Sequence, residues 1–201
     1  MFYDTENNSH GMAHDPFKAI VSPRPIGWIG SKGKDGSLNL APYSFFNAIS
    51  EVPKMVMFSS LGRKDSLRNI EETGCFTVNF VSHDLRDAMN VSSAPAGYGV
   101  SEFEMAGLTP VVGKLVDAPY VGEAYSVLEC QVTEVISPKT RSGEPSSNFV
   151  VFGEVVGIHI ADRAMRDGRF DVTLVQPLAR LGYMDYATVT EVFQMTRPSK
   201  A

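Results

Sequence analysis

KDSLRNIEETGCFTVNFV, residues 64–81, places a helix signal and a strand signal back to back, and the handover between them decides the fold class. In its first half Leu67 and Ile70 lie three apart on one face, Asp65 is available as N-cap, and Gly74 stands where a helix is closed by a left-handed residue. That spacing predicts a helix of about two turns. From Cys75 onward the period changes to two: Phe76, Val78 and Phe80 alternate with Thr77 and Asn79, so the segment 75–82 is predicted as a strand with two unlike faces. Upstream, KMVMFSS (54–60) is an apolar run of strand length, and residues 26–31 and 38–41 flank KGKDGS (32–37), whose two glycines and Asp-Gly pair predict a turn between antiparallel strands. Downstream, 125–136 and 148–160 are long β-rich segments joined by the loop SPKTRSGEPSS. A second short helix is expected over HDLRDAMN (83–90), with Leu85, Ala88 and Met89 on one face. Many strands, few short helices and no regular βαβ unit predict a mainly β fold, an antiparallel barrel with short peripheral helices.

Composition agrees with one globular domain. With 201 residues, 43% hydrophobic and 20% charged, the chain can bury about 70% of its unfolded surface. Eighteen Lys plus Arg against 23 Asp plus Glu give a net charge of −5 with no basic stretch, which argues against nucleic acid and anionic membranes as partners. Cys75 and Cys130 stand far apart in apolar runs, as expected of reduced structural thiols, and MFYDTENNSHGMAHD is polar and acidic rather than an export leader. A cytoplasmic location is expected.

A search for catalytic constellations finds none. His10 and His14 are four apart but lie in a polar N-terminal segment with a glycine between them, and His83 and His159 are expected to be structural or exposed. No CxxC occurs, and the glycines of GWIGSKGKDG do not follow the dinucleotide spacing. Two stretches do stand out. SSLGRKDSLRN (59–69) leaves a strand, passes Gly62, and enters the short helix with Arg63, Lys64 and Ser66 at its start. Free N–H donors, hydroxyls and cations at a helix start make a phosphate cradle, and an ordinary capped surface helix with solvated charges is the competing reading. In NLAPYSFFNAIS (39–50), Pro42 removes a ladder donor, so the strand is expected to bulge or break there and leave backbone groups free.

Taken in order, PRPIGWIGS (23–31), the glycine turn, NLAPYSFF, the strand ending near SSL, KDSLRNIEETGCFTVNFV and PLARLGYMDY (177–186) resemble the flavin reductase-like family, in particular its flavoredoxin-like branch, over residues 16–186. In the last of these Tyr183 stands where that group usually writes the second glycine of a pair. The resemblance implies an FMN-binding split barrel, a homodimer with FMN near the subunit interface, and hydride supplied by NADH or NADPH and passed on to free flavin, ferric iron or another small acceptor. It places the FMN phosphate at Arg63, Lys64 and Ser66 beside Ser59 and Ser60, and runs the ring along the backbone of Trp28 and Ile29 and of Asn39, Leu40, Ala41, Pro42, Tyr43 and Ser44. Trp28 is a candidate to shield the ring face, against the alternative of an ordinary core residue. No catalytic side chain is required, because the redox chemistry belongs to the cofactor. An electron carrier without its own nicotinamide site is the alternative, and a split barrel for haem or a pyridoxal phosphate relative the third. The expected boundaries are an extension at 1–15, the domain at 16–190 and a tail at 191–201. Residues 92–104, SSAPAGYGVSEFE, are expected to be a loop, either at the ligand mouth or a plain connector.

Overall fold

The computed structural model describes residues 1–198, so the end of the expected tail, 199–201, lies outside the described residues. Residues 1–15 carry no helix or strand. The elements that follow are α1 (Phe17–Ile20), β1 (Arg24–Pro25), β2 (Gly27–Lys32), β3 (Leu38–Tyr43), β4 (Phe46–Glu51), β5 (Lys54–Leu61), α2 (Asp65–Thr73), β6 (Cys75–Phe80), α3 (Arg86–Val91) and α4 (Glu102–Met105). Then come the hairpin β7 (Pro110–Val112) and β8 (Pro119–Val121), the long strands β9 (Ser126–Ile136) and β10 (Asn148–Ile160), β11 (Met165–Arg166), β12 (Arg169–Phe170), α5 (Val172–Val175), β13 (Leu178–Arg180) and β14 (Tyr186–Thr188).

Seven strands form the main sheet in the order β3-β2-β6-β9-β10-β5-β4, and every pairing in it is antiparallel. A separate small sheet joins β1, β13 and β14. The main sheet curls until its edge strand β4 meets β2: a Cβ added to Gly27 would lie 2.6 Å from the Phe46 ring, so only glycine lets the two strands approach. The result is a half-closed barrel with a few short helices, as the sequence predicts.

Alternation along the strands sorts most of the core into two large clusters. Phe76, Val78, Ile29 and Phe58 pack beneath Leu67 and Ile70 of α2, while Trp28, Leu40, Val121, Val127 and Phe103 form the cluster on the opposite face. Each fully buried side chain of this size contributes roughly 1.5–3 kcal/mol by leaving water. The Thr77 and Asn79 face of β6 is therefore covered as well. The β7–β8 hairpin lies over it, with Thr77 Oγ1 donating to the Pro119 carbonyl and Asn79 bridging the Trp28 carbonyl (2.9 Å) and the Val121 N–H (2.8 Å). Buried polar groups are tolerated there because each is hydrogen-bonded. The same logic explains Glu129, whose buried carboxylate accepts the N–H groups of Lys114, Leu115 and Val116 and a bond from His159. Burial would raise its pKa, but the bonds from His159 and these three N–H groups outweigh burial and hold the carboxyl below its usual value. His159 is thus structural. Both cysteines are free and buried, and burial pushes the Cys130 thiol up to about 12.

Two local expectations are corrected. Asp65 is the first helical residue of α2 and not its N-cap; Lys64 holds that position in extended conformation, and no side chain caps the helix start. Gly74 does close it, at φ +74, with its N–H on the Ile70 carbonyl at 2.8 Å. Nor does the chain bulge at Pro42. β3 continues through it to Tyr43 in unbroken register with β2. β3 is an edge strand, and Leu40 turns its N–H away from β2 toward the Glu102 carboxylate (3.0 Å), so position 42, two residues on, also faces outward and loses no ladder bond by being proline. The strand β4 just beyond lies outside the predicted run 38–41. Among the described residues no helix is long and apolar enough to cross a membrane.

Candidate functional site

Between the ends of β3 and β5, the start of α2 and the loop 92–96 lies an open cleft of about 1060 Å³. Its α2 end is built from small polar side chains. β5 delivers Ser59, Gly62 turns the chain at φ +71, and the helix begins with Lys64, Asp65 and Ser66 on the cleft wall. With no capping side chain, the first N–H groups of this nine-residue helix have no side-chain acceptor, and the helix dipole adds a partial positive charge. Lys64 is exposed and has no carboxylate within 4 Å among the described residues.

Behind this end runs a buried polar network. Asn39 Nδ2 donates to Ser66 Oγ (2.8 Å), Asn69 Nδ2 to Ser31 Oγ (3.3 Å), and Asn148 Nδ2 reaches Ser59 Oγ (3.0 Å). Tyr43 stands among them, 8% exposed, its ring 4.7 Å from that of Phe58 and its hydroxyl buried beside the Ser60 and Ser66 side chains. Burial pushes this phenol above its ordinary pKa, so it remains a proton-bearing donor at neutral pH. Along the β3 wall the outward N–H of Leu40 is taken by Glu102, itself only 8% exposed. Burial raises the Glu102 carboxyl above its usual value, and neighbouring Asp65 adds to this.

The loop 92–96 roofs the cleft and is pinned on both sides. Ser92 Oγ accepts from Trp28 Nε1 (2.9 Å) and donates to the Met89 carbonyl (2.8 Å), while beyond it the Arg68 guanidinium lies 3.3 Å over the Tyr98 ring. The opposite end of the cleft is cationic, lined by Lys18, Arg24 and Arg180. Arg24 donates to the carbonyls of Lys18, Val21 and Leu181, and Arg180 to the Tyr183 carbonyl and the Tyr186 hydroxyl.

Of the residues singled out in the sequence, Asn39, Ala41, Pro42, Tyr43, Ser44, Ser59, Lys64 and Ser66 line this one cleft. Five do not. Trp28 and Ile29 are fully buried in the two core clusters, so Trp28 is a core residue and its ring does not reach the cleft. Leu40 buries its side chain and offers only backbone already engaged by Glu102. Ser60 is buried with its hydroxyl on the Gly62 carbonyl (3.0 Å), and Arg63 turns away to Glu71 and to the face of Phe149. Residues the sequence reading passed over include Asn148, Glu102, Arg24 and Arg180; PRP and PLAR carried the two arginines as family motif, with no sign that they meet.

A family model described as a flavin reductase like domain matches residues 21–183. The chain belongs to the flavin reductase-like family. An uncharacterised protein of Halalkalibacterium halodurans is 38% identical over 185 residues, 89% of this chain and 88% of that one. Among solved structures, nitrilotriacetate monooxygenase component B of Bacillus cereus is 29% identical with a TM-score of 0.88, covering 97% of this chain and 98% of that one. The 2-nitrobenzoate 2-nitroreductase of Pseudomonas fluorescens is 27% identical with a TM-score of 0.85, covering 99% and 97%. In this member of the flavin reductase-like family, Tyr183 keeps a left-handed backbone, φ 53, a conformation glycine adopts freely and a bulky residue does not. The turn is held by Arg180 on the Tyr183 carbonyl and by the bond from Asp185 N–H to the Gly182 carbonyl (2.9 Å).

Proposed function

We propose that the cleft binds FMN and that the protein is an NAD(P)H-dependent oxidoreductase working as a homodimer. The observation that carries this reading is the α2 end: an uncapped helix start, an unpaired Lys64 and the hydroxyls of Ser59 and Ser66 meet in one cleft. A phosphate supplies the acceptors these donors lack. Lys64 and Ser66 would hold it, with Asn39 fixing the Ser66 hydroxyl through its 2.8 Å bond and Ser59 set by Asn148. Arg63 is left out of the set, since its side chain lies on Glu71 and Phe149. Bound FMN would supply the redox chemistry, taking hydride from a reduced nicotinamide and passing electrons to an acceptor. The chain's own part is to anchor the phosphate, to present the β3 wall and Glu102 as acceptors to donor groups of the ligand, and to roof the cleft with the loop 92–96. The two solved relatives, a nitroreductase and a monooxygenase component, support a redox activity.

Dimerisation is supported by surface. Apolar side chains are exposed on the cleft rim, with Leu61 61% and Met184 82% accessible. The test is the visible spectrum of the purified protein followed by anaerobic mixing with NADH and with NADPH. A flavin spectrum that bleaches with one of them is expected. A haem or pyridoxal phosphate spectrum overturns the cofactor, and a flavin that bleaches with neither replaces the reductase by an electron carrier.

A further inference from the structure

The cleft has a second set of anion-seeking groups, at the end away from α2. Arg24 and Arg180 are direct cross-strand partners in the β1–β13 ladder, and Lys18 lines the cleft with them. Like charges placed opposite each other repel, and Arg24 is also 94% buried, which makes an uncompensated guanidinium costly. Yet among the described residues none of the three has a carboxylate within 4 Å. Arg24 is braced by carbonyl oxygens and by the Phe45 ring, 5.9 Å from the guanidinium carbon to its centroid, and its Nε–H has no partner among the described residues. The acids that do line the cleft are Asp65, at the start of α2, and Glu102, on the Leu40 N–H. Besides Lys64 at the α2 end, three cations thus line the cleft with no acid beside them, in a protein of net charge −5.

That end opens onto a smaller adjoining cavity of about 320 Å³, which shares Met89, Asn90, Met184 and Tyr186 with the cleft and adds Leu178 and the ion pair of Arg86 with Asp87 (3.6 Å). If the α2 end holds the cofactor phosphate, an anion here belongs to the other molecule in the site, the one that exchanges at each turnover. We infer that Lys18, Arg24 and Arg180 form a second anion subsite, which takes the diphosphate of the nicotinamide dinucleotide. This assignment rests on the reductase reading above. Several cations suit a doubly charged diphosphate better than a single carboxylate, and the adjoining cavity gives one of its flanking rings a place beside Tyr186.

The experiment is calorimetric titration of the full-length, FMN-saturated protein with inorganic pyrophosphate, and in parallel with benzoate. Pyrophosphate is expected to bind, more tightly than benzoate, and to weaken about tenfold to a hundredfold in Arg180→Gln. Because Arg180 also braces Tyr183 and Tyr186, Lys18→Glu is the companion variant: its ammonium has no partner to lose, and it should weaken pyrophosphate by about tenfold. A kinetic readout follows the same charge. The advantage of NADH over the uncharged donor N-benzyl-1,4-dihydronicotinamide should fall by a similar factor in both variants. Pyrophosphate that does not bind, binds both variants like the wild type, or binds less tightly than benzoate overturns the inference. So does binding abolished by Lys64→Ala alone, which would put the anion at α2 and leave the cofactor reading standing. Conversely, a protein that takes up no FMN yet binds pyrophosphate through Lys18 and Arg180 retains the anion subsite while the cofactor reading fails.

Discussion

At the α2 end, the cleft is walled by Ser59, Ser66, Asn39 and Tyr43 with Lys64 beside them, all carried on main-sheet strands or on the helix packed against that sheet. At the other end, cations stand on α1, on the two-residue β1 and on the three-residue β13. The first end inherits its geometry from the core: Leu67 and Ile70 are fully buried beneath α2, and Ser66 is held by Asn39. The second end is held by its own cations, since Arg24 ties α1 to the segment after β13 through the Lys18, Val21 and Leu181 carbonyls. The exposed Lys64 can therefore be removed from the α2 end with little structural damage, whereas at the β1–β13 end the groups proposed to bind an anion also hold the chain together.

The largest expected effect breaks that second end. Arg24→Ala removes hydrogen bonds to three carbonyls and should cost about 3 kcal/mol in urea unfolding, with new proteolytic cuts near residues 18–22 and 181–186. Lys64→Ala, an exposed position, should stay within about 0.5 kcal/mol of the wild type. If the two losses are equal, the contrast between the ends is wrong. A smaller effect of opposite sign is expected at Tyr183, whose φ of 53 costs a non-glycine residue on the order of 1 kcal/mol. Tyr183→Gly should raise the unfolding free energy in urea by about that much, and a lowered stability would mean that its contact with the His14 ring, 5.6 Å between centroids, outweighs the strain.

The smallest effect is pH-dependent and belongs to the β3 wall. Glu102 has its folded pKa raised above the ordinary 4.5, so the folded state binds its proton more tightly than the unfolded state does. Wild-type stability should fall as pH rises from about 4.5 through the folded value and then level off. Glu102→Gln cannot ionise and keeps an oxygen for the Leu40 N–H, so its stability relative to wild type should rise over the same window. A difference that stays constant with pH would show that Glu102 is ionised at no cost.

The same contrast explains what could be read in the sequence. The long strands 126–136 and 148–160, the glycine hairpin and the helix ended by Gly74 were legible because period and turn chemistry are local. Eight of the thirteen proposed binding residues line one cleft because the strand end and the helix start that carry them are each continuous in sequence. Trp28 and Ile29 lie outside the cleft for a different reason: β2 is covered on both faces, a fact set by the β7–β8 hairpin some ninety positions on. Pro42 misled because its effect depends on whether its strand lies at an edge, which only the sheet order decides. The cationic end was illegible, since Arg24 meets Leu181 across 157 positions and nothing local announces the meeting.

A phosphate held at the α2 end distinguishes FMN from riboflavin, which differ only by that group. In fluorescence titrations the wild type should bind FMN on the order of a hundredfold more tightly than riboflavin, and Lys64→Ala should lose about tenfold or more of that preference while binding riboflavin as before. Equal affinities of the wild type for the two flavins, or a preference that survives Lys64→Ala unchanged, would contradict a phosphate site at α2.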